Sequence, residues 1–499
     1  MCGIPWVCAG LLALGATGGL RVLADQPVQL QTTRETSFGE SVFVLGDHPL
    51  LGGGEMTRAL KLSPHGYPQW SATVSLPEGT TVEYQFAVRQ DSAAAQANPA
   101  NGALIGSPLS LTVPGQAEAP RRGFFRYIGS APAPVLEIRE GADHRAVALT
   151  RTGDGRTPQE GLWSAPVDGL PARGEWQFRV VRGDGGFDTP SGAAYYTTAL
   201  ASPWLQDRQL FNYRPAPAVS APRVVKIPNF TGSLPTRAVY VYLPRGYDQH
   251  TARRYPVLYM HDGQNCFQTF AGDSGFGNTW RADEAATALI AQGRMREAVI
   301  VGVSHGGSER IPEYLPEYDT AVIYTGRANQ TAAYYINEVK PYIDANYRTL
   351  TGRDDTATAG SSMGGFFSTY LAWEYPSFAR HHAALSPAYW ASTVGGRTEL
   401  IERMRSQAPR QVRLYLDSGT VGGGLIPADD GASTTLQARD ALIENNYPVG
   451  PDFLHTIAYG ADHTEPAWAA RFPAVLQFLL PVSQEPEEAT ASGDGVVVR

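Results

Sequence analysis

The sequence predicts an α/β domain in the C-terminal half of the chain, preceded by one or two β-sandwich domains. Beyond residue 223, short apolar runs typical of buried strands alternate with helical patterns. Before residue 217, strand and turn patterns dominate instead. The proline- and alanine-rich stretch 215–222 predicts a semi-rigid linker between the two regions.

Composition indicates a globular chain with ample core material. The chain has 499 residues, a length typical of about three domains. Hydrophobic residues make up 43% and charged residues 18%. The net charge of −8 provides no general attraction to nucleic acid or anionic membranes, so neither is expected as a partner. Cys266 is the single cysteine after the first 25 residues, which excludes an intramolecular disulfide or a cysteine zinc cluster there.

Both ends of the chain look separate from the folded domains. An apolar run from Ile4 to about Leu20 predicts a signal peptide over residues 1–25, and hence a secreted or periplasmic protein. A single membrane anchor is the alternative, but the run is short and glycine-interrupted for a span of about 20 residues, so no stable membrane insertion is expected. The tail 483–499 is predicted to be disordered.

The first β-rich region covers residues 26–114. Strand patterns occur at 41–46, 70–76 and 81–88. The segment 35–52, Trp70 and the Tyr84–Phe86 run resemble the family-20 starch-binding modules. This resemblance implies a β-sandwich that holds α-glucan on exposed tryptophans.

One departure from that family bears on glucan binding. Such modules usually carry a tryptophan after the Leu-Gly pair, where this chain has Gly53-Gly54-Glu55. Trp70 is expected in the core and not as a sugar platform. Two interpretations therefore stay open, a glucan-binding module and a sandwich that only packs against the enzyme domain.

A second β-rich unit is predicted over residues 120–217. The runs 135–138 and 175–181 alternate as strands, with glycine-rich turns at 153–155 and 182–186. This unit contains no recognisable ligand motif.

The region 223–482 predicts a mostly parallel sheet with helices on both faces. Strands are expected at 238–243, 255–260 and 298–303, and a helix at 281–290. In such sheets the chemistry lies at the C-terminal ends of the strands.

Gly360–Gly365 has the form G-x-S-x-G, with Ser362 at its centre. A strand is predicted before it at 356–359 and a helix after it at 366–375. The motif predicts a strand-to-helix turn that exposes the Ser362 hydroxyl and aims the Met363 amide at the same space. Ser362 is therefore the candidate nucleophile.

A second donor is expected from the loop after the strand that ends at Met260. The backbone amide of Gly263 or Gln264 can stabilise a developing oxyanion together with the Met363 amide. The alternative is an ordered turn in which His261 and Asp262 bond to backbone.

A general base is expected after the last strand, in the chain order serine, acid, histidine. The run Leu454–Tyr459 predicts that strand and His463 follows it, so His463 is the expected base. His455 lies inside the strand and is expected to be structural.

Two aspartates stay open as the acid that orients the histidine. Asp417 ends the strand predicted at 412–417, between the serine and the histidine in the chain. Asp430 follows a long glycine-rich loop that can double back, with Asp429 as a weaker third candidate. The pattern does not separate Asp417 from Asp430.

Residues 235–481 resemble the putative-esterase family of α/β-hydrolases, which includes feruloyl, acetyl-xylan and enterochelin esterases. The resemblance rests on five segments of the chain: Tyr242–Tyr247, Tyr255–Asn265, Gly360–Gly365, Leu385-Ser386-Pro387, and His463 with Trp468. It implies an α/β-hydrolase fold and a Ser-His-Asp acyl-enzyme mechanism without metal or organic cofactor.

The resemblance is less specific for substrate. A secreted esterase acting on a carbohydrate ester, of the feruloyl or acetyl type, is preferred because of the leader and the sandwich at the front. A siderophore-lactone esterase and a non-catalytic glycan-binding protein are the alternatives. Trp280, Tyr314 and Trp390 are expected near strand ends, where they shape the pocket or only pack.

Overall fold

The computed structural model describes most of the chain. The described ranges are 25–77, 79–90, 101–113, 120–130, 132–157, 159–171, 175–190, 193–216, 219–319, 324–447 and 452–482. The signal peptide predicted for residues 1–25 lies outside them except for Asp25, and so does the predicted tail 483–499. Within the described ranges, no helix combines the length and apolar character needed to span a membrane.

The first β-rich unit consists of two antiparallel sheets. One has the order β1-β5-β4 and the other β3-β2-β6-β7. The bounds are β1 Asp25–Thr33, β2 Glu40–Gly46, β3 Leu60–Lys61, β4 Ser63–Gly66, β5 Gln69–Pro77, β6 Thr81–Gln90 and β7 Ala103–Thr112. Trp70 is 3% exposed and its indole donates to the Arg34 carbonyl at 2.8 Å. This confirms the prediction that Trp70 is a core residue.

The second unit also contains two sheets, and its core is aromatic. The orders are β10-β9-β13-β14, with β15 on β13, and β11-β12-β8-β16-β17. The bounds are β8 Arg121–Gly129, β9 Val135–Glu140, β10 Asp143–Ala148, β11 Thr150–Asp154, β12 Gly161–Leu170, β13 Trp176–Val181, β14 Phe187–Asp188, β15 Tyr196–Thr198, β16 Trp204–Gln206 and β17 Gln209–Phe211. Phe178 stacks between Trp176 and Tyr196, at 4.6 and 5.2 Å between ring centroids.

The third unit is built on an eight-stranded sheet of order β18-β19-β21-β20-β22-β23-β26-β27. The first two pairings are antiparallel and the others are parallel. The bounds of its strands are β18 Arg223–Phe230, β19 Arg237–Leu243, β20 Val257–His261, β21 Val299–Val303, β22 Thr356–Ser361, β23 His381–Leu385, β26 Arg413–Ser418 and β27 Phe453–Ile457. A separate two-stranded sheet is formed by β24 Thr393–Val394 and β25 Arg397–Thr398.

Helices cover both faces of this sheet. They are α1 Ala282–Ala291, α2 Arg310–Tyr314, α3 Ala328–Tyr334, α4 Lys340–Asn346, α5 Met363–Glu374, α6 Glu399–Ser406, α7 Ala432–Glu444 and α8 Glu465–Leu479. The apolar residues of α1 and α8 form the core on one face, and those of α3 to α7 form the core on the other. The predicted α/β fold class, preceded by β-sheet domains, is thus confirmed.

The first β unit packs directly on the α/β unit. Arg439 of α7 donates to the carbonyls of Arg58 and Ala59 at 3.4 and 3.3 Å. Lys61 forms a buried ion pair with Glu444, and the Arg58 guanidinium lies 3.4 Å from the ring centroid of Tyr459. The apolar cores of the two units form one continuous buried cluster.

Replacing Arg439 is expected to destabilise this contact strongly. Arg439 pairs with Asp440 at 2.7 and 2.9 Å, and Asp440 is 2% exposed, so Arg439→Ala leaves a buried carboxylate without its main partner. The free energy of unfolding should fall by about 3–5 kcal/mol in urea denaturation. Arg281→Ala is the control, because its ion pair with Glu284 is exposed and should contribute at most about 0.5 kcal/mol. Equal losses in the two variants would contradict the prediction.

Candidate active site

Ser362 lies in a strained turn between β22 and α5. Its backbone has φ 54° and ψ −124°, a conformation that is costly for a residue with a side chain. Two hydrogen bonds hold it there: the Ser362 amide donates to the Leu385 carbonyl at 3.0 Å, and the Ser362 carbonyl accepts from Ala388 at 2.9 Å. A Cβ at Gly360 would lie 2.5 Å from the Gly364 backbone, so the close strand-helix approach requires glycine.

The three amides predicted to face an oxyanion lie on two adjoining turns. Phe366 makes the first hydrogen bond of α5, to the Ser362 carbonyl, so the Met363 amide precedes the helical ladder. On the neighbouring turn, the first bond runs from Asn265 to the Asp262 carbonyl, so the amides of Gly263 and Gln264 also precede it. A Cβ on Gly364 would lie 3.1 Å from the Asp262 carboxylate, which shows how closely these turns approach each other.

His463 is held by Asp430 and by two tryptophans. Its Nδ1 lies 2.5 Å from Oδ1 of Asp430, which is fully buried. The rings of Trp390 and Trp468 pack edge-on against the imidazole, at 5.5 and 5.0 Å between centroids. In the described part of the chain, Nε2 of His463 is buried and has no hydrogen-bond partner. The nitrogen opposite Asp430 is therefore available to a hydroxyl.

The other two candidate acids serve different partners. Asp417 binds Arg471 through both carboxylate oxygens, at 2.9 and 3.2 Å. Asp429 accepts from the amides of Gly431 and Ser433 at 3.1 and 2.8 Å and so caps the start of α7. Of the aspartates that the sequence left open, Asp430 is the one that contacts His463.

The loop after β20 is supported by buried side chains. His261 is 2% exposed, and its Nδ1 lies 3.0 Å from the Tyr335 hydroxyl. Burial lowers the pKa of His261 to about 3, so the ring is neutral. Asp262 is buried, which opposes ionisation, but the Arg310 guanidinium at 2.7 and 2.8 Å holds its pKa below the ordinary value. The side chains of His261 and Asp262 therefore bind other side chains, whereas the alternative of an ordered turn predicts that they bond to backbone.

The aromatic residues predicted near the pocket divide into two groups. Trp280 and Tyr314 are 3% and 1% exposed and pack within the core. Trp390 is half-buried beside His463. Of these three residues, Trp390 is therefore the one that borders the His463 imidazole.

Three polar residues near the site were missed as functional candidates. Ser386 and Arg471 lie against Asp430 and Asp417. Glu465 begins α8, and burial raises its pKa, with Asp262, His463 and Arg310 as charged neighbours. Arg471 lies on α8, the helix that follows His463, and this position after the predicted base is the signal that could have found it.

Matches to known families agree with this architecture. Residues 235–479 match the family model described as putative esterase, and residues 25–102 match the one described as starch binding domain. An endo-1,4-beta-xylanase/feruloyl esterase from Xylanibacter ruminicola is 24% identical over 347 residues, which is 67% of this chain and 43% of that protein. A cyclomaltodextrin glucanotransferase from Klebsiella oxytoca is 44% identical over 57 residues, 11% of this chain and 9% of that protein. The chain thus spans less than half the length of either relative.

Solved structures of esterases also resemble the chain. A ferulic acid esterase from Anaeromyces mucronatus is 23% identical and covers 55% of this chain and 95% of its own, with a TM-score of 0.39. The enterobactin esterase of Shigella flexneri is 14% identical and covers 70% of this chain and 88% of its own, also with a TM-score of 0.39. From the family matches, residues 235–479 form a domain of the putative-esterase family, preceded by a starch binding domain at residues 25–102.

Proposed function

We propose that the chain is a serine esterase that hydrolyses carboxylic esters carried on a carbohydrate, of the feruloyl or acetyl type. The observation that carries the catalytic part is the hydrogen bond between His463 and Asp430, at the strand ends where Ser362 occupies its strained turn. A buried carboxylate bound to one imidazole nitrogen leaves the other nitrogen basic and correctly oriented.

The proposed reaction proceeds in two acyl transfers. Nε2 of His463 takes the hydroxyl proton as Oγ of Ser362 attacks the ester carbonyl. The amide of Met363, with that of Gly263 or Gln264, stabilises the tetrahedral oxyanion. The imidazolium then gives its proton to the leaving alkoxide. In the second transfer, His463 activates water, which releases the acid and regenerates Ser362.

The carbohydrate part rests on the starch binding domain before the esterase domain. An enzyme domain packed against such a module would act on esters presented by a glycan chain. Together with the apolar leader, the starch binding domain supports the proposal that the protein is secreted or periplasmic. Among the described aromatic residues of the module, Phe38 and Tyr67 are exposed, at 105% and 53%. Tyr67 is the better sugar platform, because it packs edge-on against the buried Trp70 at 6.2 Å and its ring is thereby fixed.

Removing the nucleophile should abolish ester hydrolysis. Ser362→Ala is expected to lower kcat by roughly 10⁴-fold or more, since no other hydroxyl would take its place. The measurement is hydrolysis of p-nitrophenyl, feruloyl and acetylated-sugar esters by both proteins. Inactivity of the wild type on the whole panel, or full activity of the variant, would refute the esterase assignment. A glycan-binding role would then be the better interpretation.

The two aspartates should differ sharply in their effect on turnover. Asp430→Asn is expected to lower kcat by roughly 10³- to 10⁴-fold, because the amide favours the wrong imidazole tautomer. Asp417→Asn is the matched comparison, since it removes the same charge from the neighbouring carboxylate that contacts Arg471. In the same steady-state assay, the loss of kcat in Asp417→Asn should be at least tenfold smaller than the loss in Asp430→Asn. A larger loss in Asp417→Asn would assign the acid to Asp417.

Glucan binding by the module can be tested apart from catalysis. Tyr67→Ala is expected to weaken binding to insoluble starch by roughly 5- to 10-fold, as loss of one stacking ring. Phe187→Ala is the control, since this exposed ring lies on the second β unit. Depletion from solution by increasing amounts of starch measures both affinities. If the wild type is not depleted at all, the module is a packing unit.

A further inference from the structure

Ser386 occupies a buried position directly behind the acid. It follows β23, has φ 42° and is 0% exposed. Its Oγ lies 2.5 Å from Oδ2 of Asp430, the carboxylate oxygen that does not face His463. The same Oγ lies 3.2 Å from the indole nitrogen of Trp468 and 3.1 Å from Nη2 of Arg471.

The chemistry of these neighbours fixes the direction of the Ser386 hydroxyl. Indole and guanidinium nitrogens donate hydrogen bonds and do not accept them. Trp468 and Arg471 therefore occupy the two lone pairs of Oγ. The one hydroxyl hydrogen of Ser386 is left to be donated to the carboxylate oxygen of Asp430, a strong acceptor at this distance.

Arg471 is itself fixed by Asp417. Besides the two contacts with Arg471, the Asp417 carboxylate accepts from the Tyr415 hydroxyl at 3.1 Å and from the Ser386 amide at 3.2 Å. Asp417 is 0% exposed, so its carboxylate is held in the interior by these four hydrogen bonds. Trp468 and Arg471 both belong to α8, the helix that begins just after His463.

We infer that Ser386 is a positioning residue for the proposed reaction, and that Asp417 and Arg471 direct its hydroxyl onto Asp430. The inference rests on the proposed serine-esterase function. With Ser386 and the Gly419 amide at 2.6 Å on Oδ2, the carboxylate cannot rotate. Its Oδ1 then holds Nδ1–H of His463, and Nε2 keeps the orientation needed to accept the Ser362 proton.

Removing the hydroxyl should lower turnover and leave substrate binding nearly unchanged. For Ser386→Ala we expect a fall in kcat of roughly 10- to 100-fold, the effect of losing one hydrogen bond to a charged group. KM should stay within about twofold, because Ser386 does not line the open side of the site. Ser392→Ala is the matched control: this buried serine donates to a buried carboxylate, Asp319, outside the network, and its kcat should be unchanged.

Variants of Arg471 supply a rescue test. Arg471→Gln removes the charge that holds Asp417 and should lower kcat to a similar extent as Ser386→Ala. Arg471→Lys keeps the positive charge and one donating nitrogen, so its kcat should be higher than that of Arg471→Gln. A purely structural network would show losses that follow thermal stability, with no difference between Lys and Gln at equal stability.

The pH profile of kcat/KM gives a readout that a packing role would not move. Asp417→Asn leaves the positive charge of Arg471 unbalanced behind Asp430, which opposes protonation of His463. The midpoint of the acid limb should therefore fall by roughly 0.5–1 pH unit. The carboxylates of Asp430 and Glu465, which face the imidazole, are unchanged in this variant, and so are Asp262 and Arg310, the other charged neighbours of Glu465.

A double variant separates charge from position. Asp417→Asn combined with Arg471→Gln restores neutrality, so the acid-limb midpoint should return to that of the wild type while kcat stays low. A midpoint that stays shifted in the double variant would overturn the charge argument.

The outcomes separate this inference from the proposed function. Activity that survives Ser362→Ala refutes the serine mechanism itself. If Ser362→Ala is inactive but Ser386→Ala keeps the wild-type kcat and acid-limb midpoint, Ser386 is not a positioning residue. If Ser386→Ala does not fold, the Arg471 variants decide: recovery by Lys over Gln supports the inference, and equal kcat values overturn it.

Discussion

The hydrogen bond between His463 and Asp430 is the interaction on which the arrangement of the site depends. It joins the loops that follow β26 and β27, and so ties together the ends of the last two strands of the sheet. Parallel pairing brings these ends to one edge, but the 2.5 Å contact also needs the loop after β26 to return to the loop after β27. The Gly419 amide on Asp430 and the rings of Trp390 and Trp468 on His463 keep the two side chains there.

Strain at Ser362 is sustained by the same packing. The serine holds a positive φ because α5 is buried from Met363 to Trp373, and because Leu385 and Ala388 bond its backbone on both sides. Glycines at 360 and 364 remove the clashes that a Cβ would introduce between the strand, the helix and the turn at Asp262. A stable core thus fixes a local conformation that would be unfavourable in isolation.

The sequence was informative wherever a local pattern determines the structure. The apolar runs located β20, β21 and β22 to within a few residues, because these strands are buried along their whole length. The helix after Ser362 begins at Met363, earlier than the predicted Phe366, because glycines hide the helical pattern there. The last strand is predicted to run to Tyr459, but it ends at Ile457, and Tyr459 lies in the turn that follows.

The partner of His463 could not be chosen in the same way. Asp417 stands at a strand end, where an acid is expected, but its side chain points to Arg471 on α8. Asp430 reaches the histidine only because the loop from Gly419 doubles back, and no periodicity encodes the path of a loop. The role of Ser386 depends on three elements that meet at its hydroxyl oxygen: the turn after β23, the loop that carries Asp430, and α8. The fold brings them together, and no single segment of the sequence encodes that meeting.

The contact between the starch binding domain and the esterase domain is formed by residues that follow the position of the missing tryptophan. The glycines at 53 and 54 lead into the turn Met56–Arg58, and the residues that follow bind α7 through Arg439 and Glu444. This helix starts two residues after Asp430. Arg58 also covers Tyr459, four residues before His463. The module thus contacts the esterase domain at α7, which follows the acid, and at Tyr459, in the turn that precedes the histidine.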